Sequence, residues 1–210
     1  MELQKLIENK DILYIYEVGL QIYGLFDRIE DRDFLLIVTN EFVPDKELLE
    51  NEHYQIININ DWFDAVTDNK MIAWECACLP KKFIHKEHVK LLLQTNPLQL
   101  RKEFDEMYKY DYASAQVHIL KDAPITGQKE LWKLVKYLKF ANQIIENHKI
   151  VNFKDVAEDY KQIVNGQIYG WDEIVEVFSD RIKGPLELFK KYTDGILKAD
   201  KIKKFLQKNG

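Results

Sequence analysis

Residues 34–38 read Phe-Leu-Leu-Ile-Val, five apolar side chains in succession, with Asp33 before them and Thr39 after. A strand with one wet face alternates apolar and polar residues. A run that is apolar at every position suits a strand buried on both faces. The chain around it therefore has to supply cover on each side of a sheet. Two further strand candidates lie close by. Residues 12–18 (ILYIYEV) are rich in β-branched and aromatic types and stop at Gly19, and residues 54–59 (YQIINI) alternate in apolar character. Residues 2–9 read as a short helix, and Pro44-Asp45 as a break.

Past residue 60 the period changes. Asn60 reads as an N-cap for a helix over 61–78, with Pro80 beyond its end. A short helix is expected at 86–95, stopped by Asn96-Pro97. Pro97 suits the first turn of a further helix over about 97–118. The strongest helical signal runs from about 128 to 147, where Leu131, Leu134, Val135, Leu138, Ala141, Asn142 and Ile145 recur at helical spacing. Weaker helices follow at about 153–164, 171–181 and 185–207. Strands crowd the first 60 residues and helices fill the rest, an order that predicts an α+β chain. The expected architecture is a small mixed sheet with flanking helices over 1–122, then a helical domain over 123–210. The boundary falls between 80 and 125, best placed in the Asp122–Gly127 loop.

The chain has 210 residues, enough to bury a sizeable core, and its 46% hydrophobic content is that of a globular protein. Mean hydropathy is −0.37 and no apolar run reaches 18 residues, so no membrane partner is expected. The N-terminus lacks a basic start followed by an apolar stretch, and the expected location is cytoplasmic. Cys76 and Cys78, the only two cysteines, stand two apart in a predicted helix. They point away from each other and read as free thiols. Charge is uneven. Residues 1–64 hold 15 Asp and Glu against 5 Lys and Arg, while residues 65–210 hold 20 against 25. The contrast suits either an acidic metal end facing a basic half or plain surface variation.

The stretch with chemical content is 19–38, GLQIYGLFDRIEDRDFLLIV. A strand ends at Gly19, a turn contains Gly24, and Asp31-Arg32-Asp33 opens the buried strand. Residues i and i+2 of a strand share a face, so Asp31 and Asp33 are placed to hold a divalent cation through oxygen. Glycines in the preceding turn let backbone N–H groups approach a phosphate. A lone Asp-x-Asp is a weak signal, since any acidic turn can show one.

Read as a whole, the stretch resembles the DNA-polymerase-β-like nucleotidyltransferase superfamily, in which a Gly-Ser turn precedes Asp-x-Asp on a strand. The nearest subgroup reads G-S-x-x-Y-G and then S-D-x-D. Gly19, Tyr23, Gly24, Asp31 and Asp33 match it, whereas Leu20 and Glu30 stand where serines are expected. Segment 54–79, the Asn96–Arg101 stretch and the helix Lys136–Phe153 also resemble that group. There Lys136 matches a lysine, and Phe140 and Gln143 stand near an expected His and Arg.

The resemblance implies a Mg²⁺-dependent transferase, with two ions compatible, that moves a nucleotide from an NTP to an acceptor hydroxyl on RNA or protein. Asp31 and Asp33 would be the catalytic metal ligands. Gly19, Tyr23, Gly24 and Lys136 would form the nucleotide site. A third carboxylate on the neighbouring strand is missing, because Asn58 or Asn60 falls there. That departure, with Leu20, supports the alternative of a catalytically degenerate protein that binds a nucleotide, nucleic acid or protein. Asp61, Glu17 or Glu41 beside Asp31 and Asp33 would favour the enzyme, and Asn58 there would favour the alternative.

Other residues carry plainer expectations. Lys129, Lys133 and Lys136 line one helix face, either as a phosphate clamp or as its wet side. The five histidines are scattered and read as surface groups. Tyr108, Tyr110, Tyr112, Trp132 and Trp171 read as core rather than as a base-stacking surface. The tail 198–208, with five Lys and one Asp, reads as a solvated helix.

Overall fold

The computed structural model describes the chain except residues 1–2, 26–31, 52, 122, 167–169 and 210, and describes side chains only up to residue 198. The chain is α+β and divides into two compact units, residues 1–94 and 95–210. Among the described residues, no helix is long and apolar enough to cross a membrane.

The first unit is a four-stranded mixed sheet in the order β3-β2-β1-β4. Strand β1 is Ile12–Val18, β2 is Asp33–Val38, β3 is Tyr54–Asn58 and β4 is Ile84–Glu87. β1 pairs antiparallel with both β2 and β4, whereas β2 pairs parallel with β3. The apolar run 34–38 is thus an inner strand, and all five of its side chains are buried. One face packs Ile12, Ile15, Phe34, Leu36 and Val38 against Leu6 of helix α1 (Leu3–Glu8) and Leu48 of α2 (Lys46–Glu50). On the other face Trp62 of α3 (Ile59–Thr67) lies against Tyr14 and Tyr16, with centroids 6.4 and 6.1 Å away.

Two expectations change in this unit. The single helix expected at 61–78 is two, α3 and α4 (Met71–Cys78). Asn69 sits between them at φ +55°, a left-handed conformation that Asn tolerates better than most residues. The cap of α3 is Asn58, whose Oδ1 accepts from the backbone N–H groups of Asn60 and Asp61 at 2.9 and 3.0 Å. The helix expected at 86–95 is instead strand β4 followed by irregular chain. β1 would otherwise expose an unpaired edge, and pairing with it outweighs local preference.

The second unit is helical: α5 (Pro97–Leu120), α6 (Pro124–Asn147), α7 (Ala157–Ile163) and α8 (Trp171–Asn209). Helix α5, grouped with the sheet in the sequence reading, packs on α6 and belongs here. Pro97 stands in its first turn and Asn96 caps it, accepting from Gln99 N–H at 3.1 Å. α6 packs against α5, α7 and α8, and from Leu131 to Ile144 most of it is buried. Gly127 is where α5 crosses closely, since a Cβ there would lie 2.6 Å from the Ala115 carbonyl oxygen. The two helices expected at 171–181 and 185–207 are one, with Pro185 inside. Phe178, Ile182, Phe189 and Thr193 continue a buried stripe across the proline, and Asn142 Nδ2 donates to the Pro185 carbonyl at 2.9 Å. Packing therefore carries the helix through a residue that lacks its own N–H.

Candidate functional site

Three neighbouring strands bring polar residues to one end of the sheet. β1 runs out at Gly19, β2 begins at Asp33, and His53 immediately precedes β3. Antiparallel pairing sets Val18 opposite Asp33, and parallel pairing sets Phe34 beside Tyr54. Together the two pairings fix Gly19, Asp33 and His53 as neighbours.

Gly19 has φ +94°, where an L side chain is strained. A Cβ at this position would also lie 2.5 Å from Asp33 Oδ2, so the carboxylate sits directly against the glycine. After it, Leu20–Tyr23 forms one 3-10 turn closed by Gly24 in the left-handed conformation, φ +75°. The Gly24 N–H donates to the Gln21 carbonyl at 3.0 Å, and the Gln21 side-chain amide donates to the Val18 carbonyl. The other Asp33 oxygen, Oδ1, is 3.1 Å from His53 Nδ1. His53 is tied to both strands: its N–H donates to Asn51 Oδ1 at 3.0 Å, and its carbonyl accepts from Phe34 N–H at 2.7 Å. The Asp33 side chain is 48% exposed and His53 37%, so the pair is open to solvent.

Asp31 lies outside the described residues. Tyr23 is 4% exposed, and its hydroxyl donates to buried Glu75 Oε2 at 2.7 Å. Burial and the Glu75 charge both push the phenol well above its ordinary range. Tyr23 therefore ties the 3-10 turn to α4. Lys136 lies on α6 in the second unit, half-buried, with its ammonium 5.6 Å from the Trp132 ring centroid. Phe140 is buried. Gln143 holds the chain after α6, accepting from the N–H groups of Val151 and Asn152, both at 2.9 Å.

The carboxylates weighed for a third ligand go elsewhere. Asn58 pairs with Val38, at the opposite end of β2 from Asp33, and donates through Nδ2 to Asp61. Glu17 lies opposite Phe34 and so opens on the α1–α2 face, away from Asp33. It is 3% exposed, 3.0 Å from His85 Nε2 and 3.5 Å from Arg32 Nε. Arg32, flanked by the two candidate aspartates, is thus drawn to one face while Asp33 turns to the other. Among the described residues, no three His, Cys, Asp or Glu side chains form a metal-holding group.

Asp33 still fits Mg²⁺ in one respect. The ion is commonly held by one or two carboxylates together with substrate phosphates, and Asp33 offers a solvent-open oxygen of the right kind. A glycine turn lies beside it.

His53 is the site residue that sequence reasoning passed over as a surface histidine. The available signal was that His53 directly precedes one strand as Asp33 opens another, but the parallel register that joins them is tertiary. His85, expected on a helix surface, faces buried Glu17. His118 lies 2.9 Å from Glu130. The other expectations resolve plainly. Lys129 and Lys133 are exposed. Cys76 is buried and Cys78 half-buried, both free. Tyr108 and Tyr112 stack at 5.4 Å, Tyr112 meets the Trp171 edge, and Trp132 is buried, while Tyr108 and Tyr110 are exposed rather than in the core. No protein family model, no curated protein and no solved structure matches this chain.

Proposed function

We propose that the sheet unit binds a nucleoside triphosphate with Mg²⁺ at the Gly19–Asp33 end and transfers the nucleotide to an acceptor hydroxyl, which gives up its proton as the bond between the α- and β-phosphates breaks and pyrophosphate leaves. The observation that carries the proposal is the contact of the Asp33 carboxylate with Gly19. A solvent-open carboxylate and a backbone position without a side chain stand together, as a site for a metal-borne triphosphate requires. In this reading Gly19 and Gly24 give the phosphates access to backbone, and Asp33, with Asp31, holds the ion. The bound Mg²⁺ would polarise the phosphoryl oxygens and offset their charge. Lys136 lies on α6 of the second unit and belongs to the sequence resemblance alone. The acceptor, on RNA or protein, also stays a proposal, as does a cytoplasmic site of action.

A second reading is a nucleotide-binding protein without transfer. Its support is specific: the position beside Asp33 on the next strand is His53 rather than a carboxylate, and Glu17 is buried on the other face.

Calorimetric titration of ATP, CTP, GTP and UTP with and without Mg²⁺ tests both readings, using wild type and the Asp31→Ala/Asp33→Ala double variant. Metal-dependent binding of one nucleotide, lost in the double variant, supports the site. Turnover of that nucleotide then separates transfer from binding alone. Absence of binding for all four nucleotides in wild type rejects the proposal.

A further inference from the structure

We propose that His53 is a positioning residue that makes Asp33 a one-oxygen ligand for a divalent cation arriving on nucleotide phosphates. The inference rests on the nucleotide reading above and adds a residue that the sequence resemblance does not supply. Both oxygens of Asp33 are accounted for. Oδ1 takes the His53 Nδ1–H at 3.1 Å, and Oδ2 lies against Gly19, a backbone position with positive φ and no side chain. The backbone that carries the imidazole is held in turn, because the His53 N–H and carbonyl are both bonded, to Asn51 and to Phe34 of β2. The ring and the carboxylate are therefore referred to the same pair of strands, and the carboxylate keeps its heading without help from the ion.

A carboxylate so held presents one oxygen, Oδ2, on the Gly19 side. Bidentate coordination would require breaking the bond to His53. One-oxygen coordination suits Mg²⁺, which retains waters and completes its shell with phosphate oxygens. Hydrogen-bonded partners of ligating carboxylates orient them, and their loss typically weakens metal binding about 10–100-fold. Among the described residues, Glu17 with Arg32 and His85 lies across the sheet and does not take the place of His53.

The test follows Mn²⁺, as a paramagnetic substitute, in the presence of ATP, CTP, GTP or UTP, read by water-proton relaxation. His53→Ala should weaken Mn²⁺–nucleotide binding about 10–100-fold and leave the far-UV circular dichroism unchanged. His53→Asn places an amide N–H near the position of Nδ1 and should restore most of the loss. Wild-type affinity in His53→Ala would overturn the inference while leaving the nucleotide reading intact. An equal loss in the Ala and Asn variants would also overturn it, since the hydrogen bond would not be what matters. Failure of wild type to bind any Mn²⁺–nucleotide would overturn both.

Discussion

The two units use polar side chains in opposite ways. In the helical unit the buried polar residues are spent on the fold. Gln143 holds the backbone of Val151 and Asn152, Asn142 takes the Pro185 carbonyl, and Asp159, 1% exposed, lies 2.6 Å from Lys139 and 3.8 Å from Arg181. In the sheet unit, Asp33 and His53 stand at strand ends, open to solvent, and are held mainly by each other and by strand register. Charge follows the same division. Residues 1–94 carry 18 Asp and Glu against 10 Lys and Arg, while residues 95–210 carry 17 against 20. A polar group that stabilises a core has to be enclosed by its partners, whereas one that meets a ligand has to keep a side open. Substitutions in the two units should therefore separate stability from binding.

The largest loss of stability is expected at Asp159. Removing one member of a buried ion pair strands the other charges, and Asp159→Ala should lower the urea-unfolding free energy by about 3 kcal/mol. Mn²⁺–nucleotide binding by the protein that remains folded should be unchanged. A binding loss as large as that of the Asp31/Asp33 double variant would break the comparison.

Gly127→Val comes next. The new side chain meets the Ala115 carbonyl at 2.6 Å and Ile119 at 2.7 Å, so α5 and α6 have to move apart. The expected loss is about 2 kcal/mol, within the usual range for overpacking. A neutral result in the same unfolding experiment would mean that the crossing is looser than this spacing implies.

Gly19→Ala reverses the balance. At φ +94° and ψ −165° the backbone lies in a region open almost only to glycine, and a side chain there is strained by about 1–3 kcal/mol. The new methyl also meets Asp33 Oδ2, and nucleotide binding should be lost. Retained binding would separate the glycine from the site.

The smallest effect sharpens the contrast, because Tyr23 belongs to the sequence motif yet behaves like a helical-unit polar group. Tyr23→Phe removes the hydroxyl bonded to Glu75 and should lower stability by about 1 kcal/mol. It should leave nucleotide binding as it was. A fall in nucleotide affinity at unchanged stability would return Tyr23 to the binding site.

Much of the fold is legible in residue order. The strand at 12–18, the inner strand beginning at Asp33, the start of helix α5 at Asn96-Pro97 and the core of α6 follow from periodicity and capping signals. Short elements are less legible. Residues 84–87 form a strand because β1 has an open edge, and no local pattern announces that edge. Likewise Pro185 and Gly184 read as a helix end, but the stripe of Phe178, Ile182, Phe189 and Thr193 is buried on both sides of them.

At the candidate site, spacing marked Gly19, Gly24, Asp31 and Asp33 as a glycine turn before an acidic strand start, and the family resemblance made that turn a candidate site. Spacing could not assign Tyr23 to the core, place Glu17 on the far face, or bring His53 to Asp33. Those facts depend on which residue faces which across neighbouring strands. A shift of one residue in register reverses every face, and register is fixed by packing on both sides of the sheet. The sequence by itself determined the longer strands and helices and the glycine-and-acid turn, since these are local preferences of the backbone. Only the tertiary structure decided the partners of Asp33, because the 20-residue separation between it and His53 is closed by a parallel pairing that no local preference encodes.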